Sequence, residues 1–160
     1  MSERVIQDPV FGTIVGDDGI WEAREPVEFL GRLILLLIDA DEKAGPTEHQ
    51  RQRFREFLEK RDTLKPGLEA AIFQYYQDEN EMYRTFLAQD EIGEYLPTLT
   101  TPEQIWDLTA PVAIHIPRQS PEDQEDMDCD LAIEWSTSWD VEHGLKTCYR
   151  NWEIVAVVMP

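Results

Sequence analysis

Two blocks of the chain, one near each end, alternate apolar and polar residues with the period of two that half-buried β-strands show. In residues 21–29 the odd positions are mostly apolar and the even ones mostly polar, and Pro26 predicts that this strand lies at a sheet edge. A turn at residues 17–19 separates it from an earlier strand at residues 11–15. The uninterrupted apolar run at residues 33–38 predicts a strand that is covered on both faces.

The middle of the chain changes to the spacing of three and four residues that amphipathic helices show. Thr47, followed three residues later by Gln50, predicts a capping box at the start of a first helix. A second helix is predicted after a cap at residues 62–63. Because its apolar stripe must be buried, at least one of Tyr75 and Tyr76 is expected to face outwards. Two shorter helical segments are predicted at residues 82–87 and 101–106.

The last third of the chain returns to the strand pattern, and a turn is expected at residues 143–144. Its strands are predicted at residues 112–116, 131–141, 145–149 and 152–158, the last of them buried. An order of strands, helices and strands predicts one α+β domain over residues 1–160. We expect a largely antiparallel β-sheet of N-terminal and C-terminal strands, with a central block of helices packed on one face.

The two cysteines are predicted to be structural thiols. A hairpin turn at residues 143–144 would place Cys148 opposite Trp139, far from Cys129, so a disulfide between them would need another register. Two cysteines are also too few for the disulfide scaffold of a small secreted protein. The N-terminus has no signal-peptide pattern, and the longest apolar run falls short of the ~20 residues of a membrane helix. A cytoplasmic protein is therefore expected.

The chain is strongly acidic, with 33 Asp and Glu against 14 Lys and Arg and a net charge of −19. Such a body is repelled by phosphate backbones and by anionic lipid, which argues against nucleic-acid and membrane partners. The charge is uneven: residues 1–65 hold 10 basic and 14 acidic side chains, and residues 66–160 hold 4 and 19. No Lys or Arg occurs between Arg118 and Lys146.

This basic-free stretch is the candidate surface for a basic protein partner, because a surface of one sign steers association. The alternative is a solvated face that only promotes solubility. The residues that would contact the partner are Glu122, Asp123, Glu125, Asp126, Asp128 and Asp130.

No motif of a catalytic nucleophile, a nucleotide-binding loop or a zinc site occurs in the sequence, so no catalytic residue, metal or cofactor is predicted. His143 is the one histidine in a carboxylate-rich setting, beside Asp140 and Glu142, which favour its charged form. These three residues support an alternative function, a metal-dependent or acid/base enzyme. That alternative requires their side chains to converge in a pocket, whereas a regular strand would direct them to opposite faces.

Three short patterns are shared with a known group of proteins. The first is Asp-Pro-Val-Phe-Gly-Thr-Ile at residues 8–14, followed by a tryptophan-bearing strand at residues 20–22. The second is Ala-Ile-Phe-Gln-Tyr-Tyr at residues 71–76, and the third is Trp-Asp-Val-Glu-His-Gly-Leu at residues 139–145. Together they resemble an uncharacterised family of small acidic bacterial domains often grouped with the immunity proteins of polymorphic toxin systems. The family-motif residues, of unknown role, are Trp139, Asp140, Glu142, His143 and Gly144.

The resemblance implies a protein that neutralises a specific partner, and it brings no catalytic residue to carry over. Together with the one-sided acidity, it leads to the hypothesis of a non-enzymatic cytoplasmic binding protein that sequesters a basic protein partner. A third alternative, mimicry of a nucleic-acid duplex by spaced carboxylates, requires a long regular acidic ridge, which the short acidic stretch supports poorly. The oligomeric state is left open.

Overall fold

The computed structural model describes residues 3–118 and 129–160, and this part of the chain forms nine strands and three α-helices. The strands are β1 (Arg4–Asp8), β2 (Gly12–Asp17), β3 (Ile20–Ala23), β4 (Val27–Phe29), β5 (Arg32–Asp39), β6 (Thr109–Ile116), β7 (Leu131–Thr137), β8 (Leu145–Arg150) and β9 (Glu153–Val158). The helices are α1 (Glu48–Lys60), α2 (Lys65–Arg84) and α3 (Gln89–Tyr95), with 3₁₀ turns at Arg61–Thr63 and Pro102–Asp107. The predicted α+β class is confirmed.

The strands form one sheet in the order β1-β2-β3-β5-β6-β7-β8-β9, with β4 paired to β5. Every neighbouring pair is antiparallel except β5 and β6, which run parallel. A parallel pair needs a long crossover connection, and all three helices lie in the connection between β5 and β6. The largely antiparallel sheet with a central helical block is therefore confirmed.

Aromatic side chains join the first helix to the sheet. Phe54 and Phe57 of α1 stack with their ring centroids 6.3 Å apart. Phe54 lies 5.4 Å from Phe11, and Phe57 lies 5.3 Å from Phe29. Burying such rings contributes on the order of 2 kcal/mol each, so this contact is a main attachment of the helical layer to the N-terminal strands.

The prediction that β5 is covered on both faces is wrong. Ile34, Leu36 and Ile38 are buried, whereas Leu33 is 70% exposed and Leu35 is 48% exposed. The helices pack on one side of the sheet, and the other side of β5 lies open where the apolar run gives it leucines. A continuous apolar run therefore records β-propensity and one buried face here, not two.

The N-terminal strands differ from the prediction in number. The single strand expected at residues 21–29 is two strands, β3 and β4, which pair end to end along the same side of β5. The break between them contains Pro26, which has no N–H to give to a ladder. Only β4 lies outside the main strand order, since β3 is held between β2 and β5. Strand β1, which the pattern did not predict, pairs along β2 and forms an edge of the sheet.

The capping box at the start of α1 is confirmed. The backbone N–H of Gln50 donates to Thr47 Oγ1 at 3.2 Å, and the Thr47 N–H donates to Gln50 Oε1 at 3.0 Å. The Gln50 side chain also donates to the carbonyl oxygens of Asp39 and Pro117, at 2.5 and 3.2 Å. A single buried amide therefore ties the helix start to the ends of both parallel strands.

The predictions for α2 are correct in part. The helix forms with Pro66 in its first turn, but its N-cap is Leu64, which makes no side-chain cap, so the cap predicted at residues 62–63 is wrong. Neither tyrosine faces outwards: Tyr76 is buried and Tyr75 is half-buried. Their hydroxyl groups account for this, since each finds a partner inside the protein, Tyr83 for Tyr75 and the Pro97 carbonyl for Tyr76.

The predicted register of the β7–β8 hairpin is wrong. Strand β7 ends at Thr137, and the register pairs Ala132 with Cys148 and Trp135 with Leu145. Cys148 therefore lies near the start of β7 and close to Cys129, not opposite residue 139. The connection is a seven-residue loop, residues 138–144, in place of a two-residue turn. The last strand, β9, is a sheet edge and is partly exposed, which corrects the expectation of a buried strand.

Candidate functional site

The loop at residues 138–144, here named the motif loop, is shaped by a carboxylate. Asp140 Oδ1 accepts the backbone N–H of His143 at 3.1 Å and lies 3.0 Å from Nδ1 of the same histidine. At the loop entrance, the Asp140 N–H donates to Thr137 Oγ1 at 3.2 Å, and that hydroxyl donates to the Asp140 carbonyl at 3.0 Å. Side chains that bond to backbone two or three residues away are the usual means of fixing such turns.

Gly144 closes the motif loop in a left-handed conformation that favours glycine. Its φ is +66°, and its N–H donates to the Asp140 carbonyl at 2.9 Å. A Cβ at this position would overlap the carbonyl oxygen of Trp135. The glycine therefore serves the chain reversal into β8.

Trp139 anchors the motif loop in the core. It is buried, and its ring lies 5.0 Å from that of Tyr76 and 6.1 Å from that of Tyr83, both in edge-to-face geometry. The Tyr83 hydroxyl is 2.6 Å from that of Tyr75. Burial raises the pKa of Tyr75 and of Tyr83, and the nearby Asp140 carboxylate adds to the effect. Both hydroxyls are therefore neutral near pH 7 and can donate hydrogen bonds but not act as bases.

The motif loop forms one wall of a pocket of about 460 Å³, here named the motif pocket. The other walls come from the end of α2, from the turn into α3 and from the C-terminal end of the chain. Three of its apolar side chains are exposed: Phe86 (70%), Val141 (82%) and Met159 (41%). The full lining is Tyr83, Phe86, Leu87, Glu91, Trp139, Asp140, Val141, Glu142, His143 and Met159.

The chain around the motif pocket is acidic. Within residues 78–95, which supply its helical wall, there is one basic residue, Arg84, and its Nε donates to Asn80 at 2.8 Å. The motif loop adds two carboxylates and the half-exposed His143. Of the carboxylates in residues 78–95, Glu91 lines the motif pocket, and Asp78 and Glu79 line another pocket; the others in this segment are Glu81, Asp90 and Glu94.

Two more pockets, of about 430 and 530 Å³, lie between α2 and β9. They share Ala71 and Ile154, so they form one groove beside the edge strand. Tyr75 lines this groove, and Tyr83, to which Tyr75 is hydrogen-bonded, lines the motif pocket. The surface beside α2 is therefore concave over much of its length.

The acidic stretch chosen from the sequence lies mostly beyond the described residues. This applies to Glu122, Asp123, Glu125, Asp126 and Asp128. Asp130 is described, and it is buried: its carboxylate accepts the backbone N–H of Asn151 at 2.7 Å and lies 3.6 Å from Arg53 Nε. That carboxylate joins the start of β7 to the β8–β9 turn and to α1, so it is committed to internal contacts.

The enzyme alternative required convergence of three side chains in a pocket; all three line one pocket, and Asp140 contacts His143. Asp140, Glu142 and His143 all line the motif pocket, because the chain leaves the regular strand before reaching them. Across residues 3–118 and 129–160, no group of three or more His, Cys, Asp or Glu side chains could hold a metal ion. No helix in this part of the chain is long and apolar enough to cross a membrane.

The first shared pattern forms a closed turn, the Asp8 turn (residues 8–11). Asp8 is buried and accepts the backbone N–H groups of Val10 and Phe11, each at 2.9 Å, and Arg51 Nε of α1 at 2.8 Å. Burial raises the pKa of this carboxyl, but the two N–H groups and the guanidinium outweigh burial and hold the pKa below its ordinary value. The pattern therefore has a structural explanation.

Sequence reasoning missed the helical wall of the motif pocket. Phe86 and Leu87 were assigned to a helix, whereas they lie in the turn between α2 and α3, where Phe86 is exposed. Met159 was not considered at all. The one signal that could have found the wall is the string of carboxylates at residues 78–94 on both sides of these apolar residues.

Comparison with known proteins gives one finding. No curated protein and no solved structure matches the chain significantly. A family model described as a domain of unknown function, DUF6985, matches residues 10–159, which include the helical pattern at residues 71–76 and the whole motif loop. The chain therefore belongs to the DUF6985 family.

Proposed function

We propose that this domain is a non-enzymatic binding protein that sequesters a basic protein partner, in the manner of an immunity protein. The observation that carries the proposal is the motif pocket, in which exposed apolar side chains are surrounded by carboxylates. The immunity-like role is supported only by the resemblance of the three short patterns. The cytoplasm is the proposed compartment.

The apolar part of the pocket is suited to anchor a side chain of the partner. Phe86 and Val141 are large and mostly exposed, and they lie on a concave surface together with Met159. Apolar side chains that stay in contact with water cost free energy, and a cluster of them marks a surface that a partner covers. Interface energy concentrates in such aromatic and aliphatic anchors.

The charged part of the pocket determines the sign of the charge expected on the partner. Glu91, Asp140 and Glu142 line it, and the nearby helical residues add further carboxylates. A partner with Lys or Arg around an apolar side chain would match both properties. Complementary charge raises the association rate and makes it depend on salt.

The family motif divides into a structural half and an exposed half. Trp139, Asp140 and Gly144 have internal contacts that explain them. Glu142 is exposed and makes no hydrogen bond or ion pair with any described residue. His143 is 53% exposed despite its contact with Asp140. The exposed half is therefore available to a partner.

The experiment compares capture by two forms of the protein. Immobilised wild-type protein and the E91K/E142K double variant are exposed to the same lysate of the source cell. We expect the wild type, but not the variant, to retain a protein with an excess of Lys and Arg, and the association rate of the purified pair to fall steeply with salt. A second variant, D126K/D128K, tests the acidic stretch chosen from the sequence. Retention of the same proteins by all three forms would overturn the proposal.

A second candidate function is acid/base catalysis, which the Asp140–His143 contact favours. A carboxylate 3.0 Å from Nδ1 orients an imidazole, as in many enzymes that use histidine as a base. The test is hydrolysis of p-nitrophenyl acetate by the wild type and by His143→Gln. Turnover by the wild type that is lost in the variant favours the enzyme, and equal rates favour binding alone.

A further inference from the structure

Cys129 and Cys148 are brought together by the corrected register. Cys148 is fully buried in the middle of β8, opposite Ala132, and Cys129 lies just before β7 with 8% of its surface exposed. The two cysteines and Ala132 form a small buried cluster, separate from the main core, with Ala156 packed against it. The two thiols are close enough to interact electrostatically, and the Cys129 S–H donates to the Leu131 carbonyl oxygen at 3.3 Å.

The surroundings shift the pKa values of the two thiols in opposite directions. The interaction with Cys129 lowers the pKa of Cys148 against the opposing effect of burial, and the neighbouring Lys146 and His115 lower it further. The same interaction raises the pKa of Cys129. A thiolate beside a neighbouring thiol is the arrangement from which disulfides form in dithiol redox proteins.

We propose that Cys129 and Cys148 are a reversible oxidation site, which closes to an intramolecular disulfide with a peroxide as the two-electron oxidant. The Cys148 thiolate attacks the O–O bond of hydrogen peroxide and becomes a sulfenic acid, while the leaving hydroxide takes a proton and departs as water. The Cys129 sulfur then attacks the sulfenic sulfur: the S–S bond forms, the S–O bond breaks, and the Cys129 proton leaves with the second water. Two thiols and one peroxide give one disulfide and two waters.

The position of Cys129 allows this closure. A disulfide requires Cα atoms about 4.4–6.8 Å apart, so the backbone at one cysteine must be able to adjust. Cys148 is fixed in the sheet between β7 and β9. Cys129 precedes the first ladder pair of β7, and the next residue, Asp130, already donates its N–H to the Tyr149 carbonyl at 2.8 Å, so the adjustment falls on the backbone of Cys129 itself. The bond would close a loop of about 20 residues and staple the start of β7 to β8, which restricts the unfolded chain.

The test treats the folded wild-type protein with hydrogen peroxide and measures its intact mass. We expect the loss of two hydrogen atoms, reversal by dithiothreitol, and a melting temperature about 5–10 °C higher in the oxidised form. A parallel sample in urea, where both thiols are accessible, is the control. Two free thiols in the folded sample after peroxide, or a disulfide that forms only in urea, would overturn the proposal.

Two variants test the order of the steps. In Cys129→Ser the sulfenic acid on Cys148 has no partner, so we expect it to be trapped by dimedone as an adduct on that residue. In Cys148→Ser we expect at least a tenfold slower reaction, because burial still raises the pKa of the remaining thiol. Equal reactivity of the two variants would contradict the assignment of Cys148 as the attacking thiol. These readouts are independent of the wild-type mass measurement if either variant folds poorly.

Discussion

The Asp8 turn and the motif loop are each fixed by an aspartate carboxylate, but the first carboxylate is buried in the fold and the second borders an open pocket. In each, an aspartate carboxylate accepts backbone N–H groups two or three residues further along the chain. At the Asp8 turn a helix supplies a cation, Arg51, and the carboxylate is buried. At the motif loop the carboxylate is hydrogen-bonded, among the described residues, to the loop's own histidine, and it borders an open pocket. We infer that the Asp8 turn has a structural role, whereas the motif loop is accessible to a binding partner.

Substitution of Gly144 in the motif loop is expected to have the largest effect on stability. Changing Gly144→Ala forces a side chain into positive φ and onto the Trp135 carbonyl, so we expect a loss of about 3–4 kcal/mol in the free energy of unfolding. Urea denaturation followed by tryptophan fluorescence measures it. The matched control is Gly67→Ala in α2, where a Cβ meets nothing within 4 Å and a gain of about 0.5–1 kcal/mol is expected. Equal effects at the two glycines would show that the motif loop can relax.

The Asp8 turn is broken by Asp8→Asn. The amide keeps an acceptor for the backbone N–H groups but leaves the Arg51 guanidinium without its charged partner, so we expect a loss of about 2–3 kcal/mol by urea denaturation. The control is Glu48→Gln, which removes an exposed carboxylate near the same arginine, and its effect should be undetectable. If Asp8→Asn lowered the free energy of unfolding no more than an ordinary surface substitution does, the Asp8–Arg51 pair would not be what closes the turn.

The contribution of Asp8 to the free energy of unfolding is expected to depend on pH. The pKa of Asp8 in the folded protein lies below the ordinary value of 3.8, so its ionised form contributes stability above that value and loses it as the pH falls through the folded pKa. We therefore expect the difference in unfolding free energy between wild type and Asp8→Asn to stay constant from about pH 7 to pH 5 and to shrink below about pH 4. A difference that grows on acidification would have the wrong sign for a depressed carboxylate.

Local signals in the sequence predicted local structure. The Thr47–Gln50 capping box is confirmed because both partners lie within one helical turn. The register of β7 and β8 was not predictable, because the length of the loop between them depends on how Thr137, Asp140 and Gly144 bond and bend together. The alternation of apolar residues continues through Val141, so it predicts a strand longer than β7, which ends at Thr137, and a register that separates the cysteines.

Only the motif-loop side of the motif pocket could be predicted from the sequence, because the other side is formed by distant segments of the chain. Its motif half was marked by an unusual run of Trp, Asp, Glu, His and Gly, and those residues do share one pocket. Its other half comes from a helix end more than fifty positions earlier and from the last residues of the chain. Pairing of such distant segments is decided by how α2 packs on the sheet, which no single pattern encodes. The open face of β5 was missed likewise, since composition does not say which face a helix covers.

The smallest expected effect separates the half-buried and exposed residues of the motif loop. Asp140→Ala removes the acceptor that holds the His143 N–H, and we expect a loss of about 1 kcal/mol in the free energy of unfolding. Glu142→Ala removes an exposed side chain without an internal contact among the described residues, and a change within about 0.5 kcal/mol is expected. Denaturation midpoints measured side by side decide between them. If Glu142→Ala were as costly as Asp140→Ala, that glutamate would belong to the architecture of the loop, and the case for an exposed half of the motif facing a partner would be lost.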